Sequence, residues 1–145
     1  MILKSENIGR LLRIYEGSKA IADINIDPIT RDAEIKHELL SYSLYRDGIF
    51  WGKYSMERED HTIAIARKRW FSNFYKIQFN NVTYFLDQKS ALYRDGISLG
   101  SIYCDRDGIL FLDETITVAF SDDVPIELKL FCFWLYKRRR IGDGP

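Results

Sequence analysis

The residues that could do chemistry are few. His37 and His61 are the two histidines of the chain, each set among charges, in Lys36-His37-Glu38 and Asp60-His61-Thr62. Neither has a cysteine or carboxylate at a metal-ligand spacing, so both are expected to be solvent-exposed side chains and not ligands. No Gly-x-Ser-x-Gly elbow is present to seat a nucleophile, and no Walker loop or Gly-x-Gly-x-x-Gly turn to cradle a phosphate. Asp105-Arg106-Asp107-Gly108 has the start of a calcium loop, but the later ligands and the closing glutamate are at the wrong distances, and a hairpin turn is the better reading. Glu57, Glu59 and Asp60 read as a solvated acidic loop. No catalytic, cofactor or metal site is assigned, and the chain is expected not to be an enzyme.

Two groups of cations stand out. Arg67-Lys68-Arg69-Trp70-Phe71 sets three positive charges beside two aromatic rings, and Lys76 follows in the next segment. Arginine with tryptophan can pair with or stack on an acidic protein face, a phosphate or a lipid headgroup. Arg67, Lys68, Arg69, Trp70 and Lys76 are therefore the candidate partner-binding residues. The plainer reading is a charged strand end whose aromatics turn inward. The second group, Lys137 to Arg140, suits the negative end of a helix dipole, with contact to membrane headgroups as the other reading.

The elements that would carry these groups can be bounded from composition. The chain of 145 residues fits a single domain spanning 1–145, and its apolar fraction of 46% supports a packed core. Lysines and arginines number 21 against 21 acids, so no global field draws in nucleic acid. The N-terminal stretch to Leu12 has no long apolar core of a signal peptide, and no stretch reaches the ~18 apolar residues of a membrane span. Cys104 and Cys132 read as reduced, buried thiols, and a cytoplasmic location is expected.

From about residue 10 to 120 the pattern is that of short strands. Leu11–Tyr15 and Ala20–Ile26 flank a Glu16-Gly17-Ser18 turn. Leu40, Tyr42 and Leu44 alternate with polar neighbours, and Ile63 and Ile65 alternate with Ala64 and Ala66. Asp47-Gly48 is expected to turn the chain into Ile49–Ser55, and Asn80-Asn81 to turn Phe74–Phe79 into Val82–Asp87. Ala91–Tyr93, Ile97–Cys104, Ile109–Asp113, Thr115–Phe120 and a weaker Arg31–His37 complete about a dozen. The segment Leu44-Tyr45-Arg46-Asp47-Gly48-Ile49 recurs as Leu92-Tyr93-Arg94-Asp95-Gly96-Ile97, with Gly52 matching Gly100 and Arg58 matching Arg106. A duplicated strand–turn–strand unit is expected.

The residues from about 123 to 140 read as a helix, with Asp123 as N-cap, Pro125 in the first turn and Gly142 beyond the end. Leu130 to Tyr136 is apolar without interruption, which at 3.6 residues per turn leaves no face for water. The fold expected is mainly β: about twelve strands in a closed antiparallel barrel around a buried hydrophobic C-terminal helix.

The repeated Tyr-Arg-Asp-Gly-Ile-x-x-Gly pattern, followed by a terminal apolar helix, resembles the tubby C-terminal-like group, which includes phospholipid scramblases and LURP-one-related proteins. The likeness runs from about Leu11 to Arg140. It implies a twelve-stranded barrel around a central helix, and phosphoinositide binding or lipid handling as family roles. The residues themselves favour a non-enzymatic binding module for another protein, of which a toxin-neutralising immunity protein is one form. A module for phospholipid or phosphoinositide at a membrane surface is the alternative.

Overall fold

Tight turns set the strand order. The structure, a computed structural model, describes residues 2–47, 52–68, 74–107 and 113–140. Positive φ at Glu59 and Asp60, at Asn80 and Asn81, and at Asp95 and Gly96 gives three two-residue hairpins whose twist matches that of the flanking strands. The strands are β1 (Leu3–Ile8), β2 (Leu11–Glu16), β3 (Lys19–Ile26), β4 (Ala33–His37), β5 (Leu40–Asp47) and β6 (Gly52–Arg58). They continue as β7 (His61–Lys68), β8 (Tyr75–Phe79), β9 (Val82–Leu86), β10 (Ala91–Arg94), β11 (Ile97–Asp107) and β12 (Asp113–Phe120), before helix α1 (Ile126–Arg140). Each strand pairs antiparallel with its neighbours in sequence, and β1 pairs with β12 to close a twelve-stranded barrel.

Closure leaves two faces, and period-two alternation assigns them. Leu12, Ile14, Ile24, Ile35, Tyr42, Leu44, Ile77 and Leu86 point into the lumen and are buried. On β7 the inward residues are Ala64 and Ala66, whereas Ile63 and Ile65 face outward. The two alanines sit between larger inward neighbours: Ala64 opposite Met56 and Phe79, Ala66 opposite Tyr54 and Ile77. Small residues are required there because the lumen is full. Helix α1 fills it: Leu128 and every residue from Leu130 to Leu135 are inaccessible. Trp134 packs edge-on to Tyr54 and stacks on Phe131, with ring centroids 5.9 and 6.0 Å away. Its indole N–H donates to the Arg31 carbonyl at 3.0 Å.

Four expectations change. Strand β1 was absent from the pattern, because its inward positions are Leu3 and Ser5 and its other residues are mostly polar. Ser5 Oγ accepts the Ile116 N–H at 3.0 Å, which makes a serine acceptable inside. The helix begins at Ile126, not Asp123: the Pro125 carbonyl accepts from Lys129 N–H at 3.1 Å, making Pro125 the cap. Asp123 instead takes the Ser121 hydroxyl at 2.5 Å, which with its own backbone N–H and Arg94 holds its carboxyl below the ordinary aspartate range.

The two copies of the repeat are also used differently. Asp95-Gly96 is a two-residue turn, but Asp47 is still within β5, opposite Lys53. Leu92 pairs with Gly100, while Leu44 pairs with Met56, so the registers do not correspond. Gly48 and Ile49 lie outside the described residues, as do residues 109–112. What the copies share is their facing: Leu44 and Leu92 are buried inward, and the arginine two residues later reaches a mouth of the barrel, Arg46 the one at the end of α1 and Arg94 the one at its start. Finally, Asp105 to Asp107 end β11 in place of forming a turn, and Gly108 lies outside the described residues.

Candidate interaction face

Helix α1 occupies the lumen of the barrel, with Leu128 and Leu130 to Leu135 inaccessible. Among the described residues no three His, Cys, Asp or Glu side chains gather as a metal site would require, and no helix is long and apolar enough to cross a membrane. Cys132 is fully buried, and burial pushes its thiol well above the ordinary cysteine value; Cys104 is half-buried. His61 is exposed, but His37 is half-buried, with Nδ1 2.9 Å from the Ile21 carbonyl. A carbonyl only accepts, so Nδ1 carries the proton. The imidazole is a fastener between β3 and β4.

The outer wall is more informative. Register places Lys53 of β6 opposite Arg67 of β7, Arg67 opposite Lys76 of β8, and Lys76 opposite Phe85 of β9. Three cations thus lie in a row across three adjacent strands, and Phe85, 40% exposed, continues it. The Phe74 ring lies 6.4 Å from that of Phe85, thickening the aromatic end. Lys53 has one acid, Asp47, at 3.6 Å. Arg67 and Lys76 are exposed, and among the described residues neither has a carboxylate at ion-pair distance. Like charges directly opposite on paired strands destabilise a sheet, where an opposite-charge pair would contribute roughly 0.2–1 kcal/mol. The fold gains nothing from this row.

Of the sequence candidates, Arg67 and Lys76 are brought together on the outside. Lys68 is not part of that surface: it follows the inward positions Ala64 and Ala66, opposite Gly52, and stands half-buried at the rim of the lumen. Arg69 and Trp70 lie outside the described residues. Lys53 and Phe85 were missed, because their neighbourhood depends on cross-strand register and not on spacing along the chain.

Two of the cations at the helix end, Arg138 and Arg139, serve the fold. Arg138 is 2% exposed, with Nη1 donating to the Arg31 carbonyl at 2.9 Å and the guanidinium over the rings of Trp134 and Tyr54 at 5.2 and 5.3 Å. Asp32 is 3.7 Å away. Arg139 reaches the Asp87 carbonyl and Ser90 Oγ, each at 3.1 Å, and lies over Tyr75. These side chains latch the helix to the loops after β3 and β9. Arg138→Met is expected to cost about 2 kcal/mol, since it removes charge-assisted hydrogen bonds while leaving Asp32 in partial contact with water. Urea unfolding checks this, with Arg67→Ala as a reference expected to stay within about 0.5 kcal/mol of the unmodified protein.

At the opposite mouth, where α1 begins, the exposed residues include Glu16, Glu38, Glu59, Asp60, Asp122 and Asp123. Acids gather at the positive end of the helix dipole, with Arg58 and Arg94 paired to Glu127 and Asp123 among them. Glu57, on the outer face of β6 toward the acidic mouth, accepts the Tyr45 hydroxyl, and this hydrogen bond holds the phenol above its ordinary value. No family model, curated protein or solved structure matches this chain.

Proposed function

We propose that this protein is a non-enzymatic module that binds another protein, using the outer wall of β6–β9 to engage an acidic surface. The observation that carries the reading is the row Lys53–Arg67–Lys76, three cations placed side by side at a cost to the sheet and bordered by Phe85. Lysine and arginine stems with an adjacent ring supply both electrostatic complementarity and apolar area. Arg138 and Arg139 at the helix end are turned onto carbonyls and do not extend the row into one broad basic surface, and acids gather at the other mouth. That segregation favours a protein over a lipid bilayer. A toxin-neutralising role belongs to this class, because capping a toxin needs a rigid preformed face and no chemistry. Support for a place in the tubby C-terminal-like group comes from the strand number and the helix-filled lumen.

Arg67→Glu separates function from fold. It exchanges a repulsive cross-strand pair for an attractive one with Lys76, so the melting temperature is expected to hold or rise by a few degrees. Binding of an acidic host protein retained at low salt should fall at least tenfold, on the order of one lost interfacial charge pair. Phosphatidylserine vesicles serve as the control, since three cations contribute only about 1 kcal/mol each at such a surface. Unchanged protein binding by Arg67→Glu, or tight salt-sensitive vesicle binding that this substitution abolishes, would overturn the proposal.

A further inference from the structure

The same wall carries a second pattern. Along β6 and β7 the outward residues run from cations at one end, Lys53 and Arg67, to acids at the other, Glu57, Glu59 and Asp60. Between them lie the half-buried, outward-facing isoleucines Ile63 and Ile65, beside a cleft of about 380 Å³ lined by Thr62, Ile63, Ile65, Gln78 and Asn81, while Ser55 of β6 is covered. From Lys53 to Glu59 the stripe is about 20 Å long at ~3.3 Å per residue. Its middle is apolar and its ends carry opposite charge.

We infer that this stripe docks a second copy of the chain, the two related by a twofold axis that lies in the contact plane and crosses the strands at the level of the Met56–Ala64 pair. Rotation by 180° about that axis turns the second wall to face the first with its strand ends exchanged. It sets Lys53 of one copy against Glu59 of the other and Arg67 beside Asp60, with Ile65 of each copy meeting Ile63 of the other at the centre. Each contact is made twice, as a twofold interface requires. The barrel wall is convex, so only about three strands can touch. The buried area therefore falls in the small, transient class, below about 1,200 Å², and the dimer is weak and sensitive to salt. The inference rests on the cation row being a docking surface. Self-association covers Arg67, so a second copy and an acidic partner compete for it.

Sedimentation velocity on the full chain, from about 10 µM to 1 mM, tests this at the affinities expected of small interfaces. The mass should rise toward a dimer with concentration at low salt and return to the monomer in about 0.5 M NaCl, where screening is strong. Lys53→Glu/Arg67→Glu, and separately Glu59→Lys/Asp60→Asn, should each be monomeric with a folded circular dichroism spectrum. Mixed in equal amounts, the two variants should recover the dimer, because both charged contacts are then complementary again. A monomer at every concentration, a dimer indifferent to either variant, or a mixture that stays monomeric would overturn the inference. The acidic-end variant leaves the cation row intact and should keep full partner binding. A monomeric protein whose partner binding still depends on Arg67 would end the dimer alone; a well-behaved dimer with no Arg67-dependent partner would end the partner reading alone.

Discussion

Replacing Trp134 by alanine is expected to destabilise the protein by about 3–5 kcal/mol, the range for deleting a large aromatic side chain from a core that cannot collapse into the space. The indole is inaccessible, stacked on Phe131 and edge-on to Tyr54, and its N–H serves the Arg31 carbonyl. A closed barrel fixes the lumen width, so neighbours have little freedom to move in. Phe131→Ala should fall in the same range, because its ring also has no exposed side. Ending the chain at Asp122 removes the whole lumen filling and should leave no folded protein. Chemical denaturation of the point variants and circular dichroism of the truncated chain check this. A truncated chain with full strand content and a monomeric mass would show that the barrel does not depend on its helix.

The second large effect is at a glycine. Gly100 has φ +117°, and a Cβ built there would lie 1.9 Å from the Ala119 carbonyl oxygen. That oxygen belongs to the backbone of β12, so no rotamer change relieves the overlap. Gly100 also follows the register shift at which Leu99 bulges between the pairs Leu92–Gly100 and Tyr93–Ser98. Gly100→Ala must therefore both strain its own backbone and part β11 from β12, and should cost on the order of 3 kcal/mol or more. Gly52, its counterpart in the sequence repeat, meets only side-chain atoms at 3.2 and 3.3 Å and has no positive φ. Gly52→Ala should stay within about 1 kcal/mol. Equal loss in the two variants would refute this asymmetry.

That contrast marks how far the amino-acid pattern could be read. Alternation and turn residues reported the strands, and an unbroken apolar run reported a helix without a wet face, which together required closure. What alternation does not encode is register. Asp47-Gly48 and Asp95-Gly96 are the same dipeptide after the same three residues, yet Asp95-Gly96 is a tight turn whereas pairing with Lys53 of β6 holds Asp47 in its strand. The interaction face had the same limit. Arg67 and Lys76 were visible as charges near one another in sequence, whereas Lys53 joins them only through the β6–β7 pairing. Strand β1 was hidden for a different reason: a serine occupies an inward position, and its acceptability depends on the backbone N–H of Ile116, 111 residues away.

The order of the strands bears on how the protein is made. Pairing follows the chain throughout, and the one ladder between distant segments is that of β1 with β12, held at Leu3–Val118 and Lys4–Thr117. Hairpins can therefore form as they leave the ribosome, on the microsecond scale of local pairing. None of them has an apolar partner for its inner face at that stage, since α1 is synthesised after the last strand. The nascent sheet is an open trough lined with leucine, isoleucine and tyrosine until the segment through Tyr136 emerges. Synthesis thus imposes a late, single committing step, and a ribosome that stalls between Phe120 and Tyr136 releases a chain suited to chaperones and proteases.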